Sequence, residues 1–175
     1  MAAYTIIIII FGILILLTLI VLFFINRLLS YKNRVEHSFE AVSDSLRERN
    51  SLIDETIKFI QNKLEHEEQF IQKLDDIKII INQYLEGKNK DDFNKFKKQE
   101  KIFLEIIKLE EIYDTLKSDK EYQKLKNNIL LNQERMLYAL DSYDKGVVDY
   151  NNYQENKFIS ILGKVLRFPK YDCYN

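Results

Sequence analysis

Proline occurs once, at position 169, glycine four times, at 12, 87, 146 and 163, and tryptophan not at all. So few chain breakers exclude a loop-rich fold and predict long helices. Four scattered glycines cannot build a phosphate-cradling loop, and no serine lies in a Gly-x-Ser-x-Gly turn. The single cysteine, Cys173, excludes an intrachain disulfide. It has neither a lipidation motif nor a low-pKa setting around it and reads as an incidental surface thiol. Histidine is nearly as scarce, at 37 and 66. His66-Glu67-Glu68-Gln69-Phe70 opens like a zincin helix but has Phe where the second ligand belongs. A di-iron bundle needs Glu three positions before His, where this chain has Arg34 and Lys63. The reading is therefore no enzyme, with no catalytic, cofactor-binding or metal residues and no cofactor.

Charge of one sign is also missing: 26 Lys and Arg stand against 27 Asp and Glu. That balance offers no general polycation for nucleic acid, and no nucleic-acid or small-molecule ligand is expected. Lys88 to Lys101 is locally rich in lysine, with Phe93, Phe96 and Phe103 spaced for one face. The expectation there is a solvated helix face backed by core aromatics. Binding of anionic lipid or nucleic acid by the cluster is the alternative.

What the chain does have is a long uncharged run from Ala2 to Ile25. As a helix it reaches roughly 36 Å, enough to cross a hydrocarbon core of about 30 Å with some tilt. It lacks a basic n-region and a small-x-small cleavage site, so a retained anchor is expected rather than a signal peptide. Arg27, Lys32 and Arg34 follow it at once. By the positive-inside rule the rest of the chain faces the cytoplasm and the N-terminus lies outside. The expected organisation is an anchor over 1–26 and one cytoplasmic helical domain over 27–175.

Beyond the anchor the apolar residues recur at steps of three and four. Leu28, Tyr31, Val35, Phe39, Val42 and Leu46 form one stripe with no breaker before it, predicting a continuous helix from about Ala2 to Arg49. A turn is expected at Asn50 and Ser51, where Asp54 and Glu55 resemble a helix start. The second helix then carries Ile57, Ile60, Leu64, Ile71, Leu74, Ile81 and Leu85 to a left-handed cap at Gly87. A third runs from about Asp91 to Lys117. Ser118-Asp119-Lys120-Glu121 reads as a capping box starting a fourth, whose seam is Tyr122, Leu125, Ile129, Met136, Leu140, Tyr143, Val147 and Tyr150. Tyrosines on that seam are read as core rather than as modification sites. Gly146 within it suggests close helix packing. Phe158, Ile161, Leu162, Val165 and Leu166 make a short amphipathic piece closed by Pro169, expected on the bundle, with the membrane surface as the alternative. No strict alternation appears. The fold class is all-α: a transmembrane helix, then an antiparallel four-helix bundle with a short C-terminal helix.

Several stretches resemble the LemA family. Ile25-Asn26-Arg27-Leu28, Asn33-Arg34-Val35-Glu36, Phe39, Leu46, Arg49, Leu52-Ile53 and His66-Glu67 look like its N-terminal signature. Tyr113, Leu116-Lys117 and Tyr122 are similar to its late helix start, and Tyr143, Val147 and Tyr150-Asn151 to its Tyr-Asn motif. Leu166-Arg167-Phe168 through Tyr171 is similar to its end. Asp54 and Asp114 stand where the family commonly has Pro, and Asp144 where it has Asn. The resemblance implies a bacterial membrane helix bearing a cytoplasmic bundle, without enzymatic activity or cofactor. It also implies a scaffold or adaptor for an unidentified protein partner, with a membrane-associated protease as one class. The alternative is a self-associating coiled-coil protein of the cell envelope.

Overall fold

The computed structural model describes residues 2–64, 67–87 and 90–174, and among them every regular element is helical. Five helices exceed two turns: α1, Ala2–Lys63; α2, Glu68–Gly87; α3, Lys90–Leu104; α4, Lys120–Glu155; and α5, Lys157–Val165. The chain divides into two compact units. One comprises residues 1–38, 142–173 and 175; the other comprises 39–141 and 174.

The turn expected at Asn50 and Ser51 is absent, and α1 runs on to Lys63. The local capping signal loses to burial. Leu46, Arg49, Leu52, Ile53 and Thr56 are all buried, and a turn at that point would break the stripe they share. The would-be capping groups have other uses: Asn50 donates to Asn82 Oδ1 and Asp54 pairs with Lys78. The helix ends instead just before residues 65 and 66, so His66 lies outside the described residues.

The helix expected over 91–117 is broken. After α3 the backbone tightens into a 3-10 turn at Glu105–Lys108, one α turn at Leu109–Ile112 and another 3-10 turn at Asp114–Ser118. Tyr113 interrupts it with extended backbone, φ −116° and ψ 92°. Its hydroxyl donates to Glu67 at 2.6 Å, and the buried Ile106, Leu109 and Leu116 hold the short pieces down.

Nor does Ser118 cap α4. Its hydroxyl turns back to the carbonyl of Thr115, and the cap is Asp119, whose Oδ1 accepts from the amides of Glu121 and Tyr122 at 2.9 and 3.1 Å. Those two bonds, with Lys63 beside the carboxylate, hold its pKa below the usual range. Asp119→Ala is accordingly expected to lower the melting temperature by several degrees, with Ser118→Ala melting like the parent. The reverse order in a thermal scan would return the cap to Ser118.

The α4 seam is as read: all eight of its residues are buried. Gly146 does lie against a neighbouring helix, with Val35 Cγ2 3.5 Å from where a Cβ would sit. That is an ordinary contact distance, so the approach is close without demanding glycine. Gly87 ends α2, but not in the left-handed region; no glycine has positive φ among the described residues, and Arg167 alone does, at 55°.

Candidate functional site

The lysine-rich stretch reads as expected where it is described. Phe93, Phe96 and Phe103 are buried, and Lys95 pairs with Asp92 on the outside. His37 is exposed on α1. Among the described residues no group of His, Cys, Asp or Glu side chains converges as a metal site. Two constellations stand out that the apolar periodicity alone did not bring together.

In the unit spanning 39–141, Arg49 is fully buried. Its Nε donates to Asn132 Oδ1 at 2.8 Å, one Nη to Glu100 at 3.0 Å and the other to Gln133 Oε1 at 2.6 Å. Phe103 and Phe96 flank the guanidinium, their centroids 4.8 and 5.4 Å from Cζ. Asn132 in turn donates to the Ser45 carbonyl and to Glu48. Burial lowers the Arg49 pKa and Glu100 opposes that, yet an arginine in such a fork stays charged. The hub ties α1, α3 and α4 together. Its signal in the sequence was an arginine in phase with Leu46 and Ile53. With its donors directed at these neighbours it holds structure rather than offering a reactive group.

The second constellation is in the other unit, where the chain leaves α4. A bend at Asn156 leads into α5, which closes on a Schellman turn: the Phe168 amide donates to Gly163 O at 2.9 Å and the Arg167 amide to Lys164 O at 3.3 Å. The left-handed position is filled by Arg167 rather than glycine. The chain then doubles back as an irregular strap. Backbone of that kind leaves its carbonyls in need of donors, and α4 supplies them. Tyr150 donates to Pro169 O at 2.7 Å, Asn151 to Tyr171 O at 3.0 Å and Tyr143 to Asp172 O at 3.2 Å. The Tyr-Asn motif and the C-terminal motif of the sequence are thus two halves of one fastening. Tyr171 packs edge-on against Tyr150 and donates to Glu36 at 3.1 Å.

Burial, with Glu36 nearby, pushes Tyr150 up to about 12 and Tyr171 higher still. Both therefore favour the protonated phenol in the folded state. The stability they contribute is present below about pH 10, the ordinary tyrosine value, and is lost as pH rises through the folded values. Alkaline titration followed by tyrosinate absorbance should show a late-titrating fraction that vanishes in denaturant. A single ordinary transition for all eleven tyrosines would contradict the fastening.

Between strap and α5 lies a cavity of about 650 Å³, lined among others by Asn151, Gln154, Ser160, Lys164, Arg167 and Lys170. From Lys157 to Tyr171 the chain has four cations and no acid. All four are exposed, and none is in an ion pair among the described residues. Glu155 and Asp172 line the cavity as well. Such a groove suits an anion approached from solvent rather than covalent chemistry. A smaller groove of about 240 Å³ in the other unit is lined by Glu55, Lys58, Glu121 and Lys124, charges that balance.

Residues 38–175 match the sequence model of the LemA family, described as such. The matched range takes in the lysine-rich middle, the strap and α5. No curated protein matches the chain.

Proposed function

The chain belongs to the LemA family, and from that footing we propose a single-pass protein of a bacterial inner membrane. Its helical domain faces the cytoplasm and serves as a scaffold or adaptor for a protein partner, a membrane-associated protease being one class.

The observation that carries the membrane part is the exposure of the apolar run. Every residue from Tyr4 to Ile20 is exposed, in a helix long and apolar enough to cross a membrane. Seventeen consecutive residues without cover, nearly all apolar, need hydrocarbon around them. The cationic flank of Arg27, Lys32 and Arg34 supports the orientation.

An antiparallel helix bundle is the arrangement that fits the domain. In the unit spanning 39–141, Glu48 on α1 pairs with Arg135 on α4 and Lys63, at the end of α1, with Asp119, the cap that starts α4, so the two helices run in opposite directions. The same reversal relates Asn50 with Asn82 and Asp54 with Lys78 on α1 and α2. Contact by the domain's outer faces supports the adaptor role: Leu130, Leu131, Leu137 and Tyr138 fall within about a third of the circumference of α4 and are all exposed.

Protease added to intact cells should leave the region beyond Arg27 whole and digest it after permeabilisation; digestion from outside would overturn the orientation. For the adaptor role, Leu137→Glu combined with Tyr138→Glu should melt like the parent. In mild detergent the parent should run in a high-mass complex, and this variant should lose it. A parent that runs as a lone chain under those conditions would remove the adaptor reading.

A further inference from the structure

Three pairings fix how far α4 descends along α1 within their shared unit. Gly146 lies on Val35, Asp149 bonds Arg34 at 3.3 Å, and the rings of Tyr153 and Tyr31 lie 5.1 Å apart. Helix α4 ends at Glu155, half a turn farther on. Continued through Asn156, the same order sets the start of α5 at the level of the turn that holds Arg27 and Leu28, where the apolar run meets the domain. At that level the cover of α1 changes. Residues 4–20 are exposed, whereas Val21, Phe24 and Ile25 are half-buried and Leu28 is buried.

Helix α5 has three faces. Ile159, 1% exposed, and Gly163, beside Gln154, turn inward. Ile161 and Val165, about 160° and 120° around the helix from Ile159, are 64% and 74% exposed, with Leu162 at the edge. Lys157, Ser160 and Lys164 fill the sector between. An apolar face turned outward and edged by cations, at the level where a membrane helix leaves the bilayer, has the pattern of a helix that lies in the interface.

We infer that α5 is such an interfacial helix. Ile161, Leu162 and Val165 enter the acyl boundary of the leaflet next to the domain, and Lys157, Lys164, Arg167 and Lys170 meet anionic phospholipid headgroups. The inference rests on the reading of the apolar run as a membrane span. The occupant is a bilayer rather than a protein because the run from Lys157 to Tyr171 carries four exposed cations, unpaired among the described residues, and no acid of its own, which complements an anionic surface even with Glu155 and Asp172 lining the groove behind it. The groove between α5 and the strap gives a headgroup phosphate a place among Lys164, Arg167 and Lys170.

The chain contains no tryptophan, so single replacements report cleanly. Full-length Val165→Trp, with Ile161→Trp as a second reporter, is reconstituted into vesicles of phosphatidylethanolamine and phosphatidylglycerol with brominated acyl chains. Leu14→Trp reports on the anchor and Ile112→Trp on a position 72% exposed and remote from α5 in sequence. Both α5 reporters should emit to the blue of Ile112→Trp and lose about half their emission to bromolipid, with weaker quenching in phosphatidylcholine alone. Quenching at Leu14→Trp with none at the two α5 reporters would overturn the inference while sparing the anchor. A blue shift without bromolipid quenching would mean protein cover, a second copy included, and would overturn it too. Equal quenching in both lipids would strike out the anionic headgroups. No quenching at Leu14→Trp would remove the membrane span, and this inference with it.

Discussion

Arg49→Ala is expected to destabilise the protein by about 3–5 kcal/mol, the range found when one member of a buried charged network is removed. The guanidinium is fully buried and makes three hydrogen bonds. Its loss strands the oxygens of Glu100 and Gln133 and opens a space between Phe96 and Phe103. Arg49→Met should cost less, because it refills the stem volume and leaves only the polar partners unmet. Glu100→Gln should cost least, since Glu100 is partly exposed and the amide oxygen still accepts. Denaturant melts of the three variants in one detergent would measure this order. An Arg49→Ala variant within about 1 kcal/mol of the parent, the range of an ordinary substitution, would reduce the hub to a packing detail.

Ile60→Asp should do more. Ile60 has no exposed surface and shares a seven-residue spacing on α1 with the equally buried Ile53 and Leu46. A carboxyl placed there is cut off from water. Burial holds it in the protonated form, and at pH 7, about 3 pH units above the ordinary Asp pKa, that costs about 1.4 kcal/mol per unit, or about 4 kcal/mol. Losing the isoleucine's burial adds about 2 kcal/mol. The sum rivals the whole stability of a domain, about 5–15 kcal/mol. Cooperative melting should therefore disappear, whereas Ile112→Asp, at a position 72% exposed, should melt like the parent. A cooperative transition in Ile60→Asp would mean that the α1 stripe does not face the core.

The helical class and the buried seam of α4 were legible because periodicity is a global signal, and eight residues in phase over Tyr122–Tyr150 leave one face to bury. Helix ends were not. Asn50 and Ser118 have the right side chains to cap a helix, but whether a helix starts there depends on what lies across from it. Asn82 claims the first and the Thr115 carbonyl the second. The Arg49 hub was half visible, as a charge in phase with apolar neighbours; its partners, 51 to 84 residues away in sequence, were not. The strap left no periodic trace because it has no regular backbone. Only the family resemblance set its residues beside the Tyr-Asn motif, without showing that the two bond each other. For α5 the amphipathic pattern was plain. Ile159 packs inward as the bundle reading expects, while Ile161 and Val165 are exposed.

The strap is gripped by its carbonyls at 169, 171 and 172, and carbonyls are the same whatever residue bears them. Mutational tolerance across the fastening should therefore be lopsided. Tyr143, Tyr150 and Asn151 have little freedom to vary, whereas Lys170 and Asp172 can drift without loosening the hold; Tyr171 is the exception, through its ring and Glu36. A seat that reads backbone rather than side chains could also be invaded by an unrelated extended peptide, and the strap's attachment to its own chain is what keeps such a competitor out.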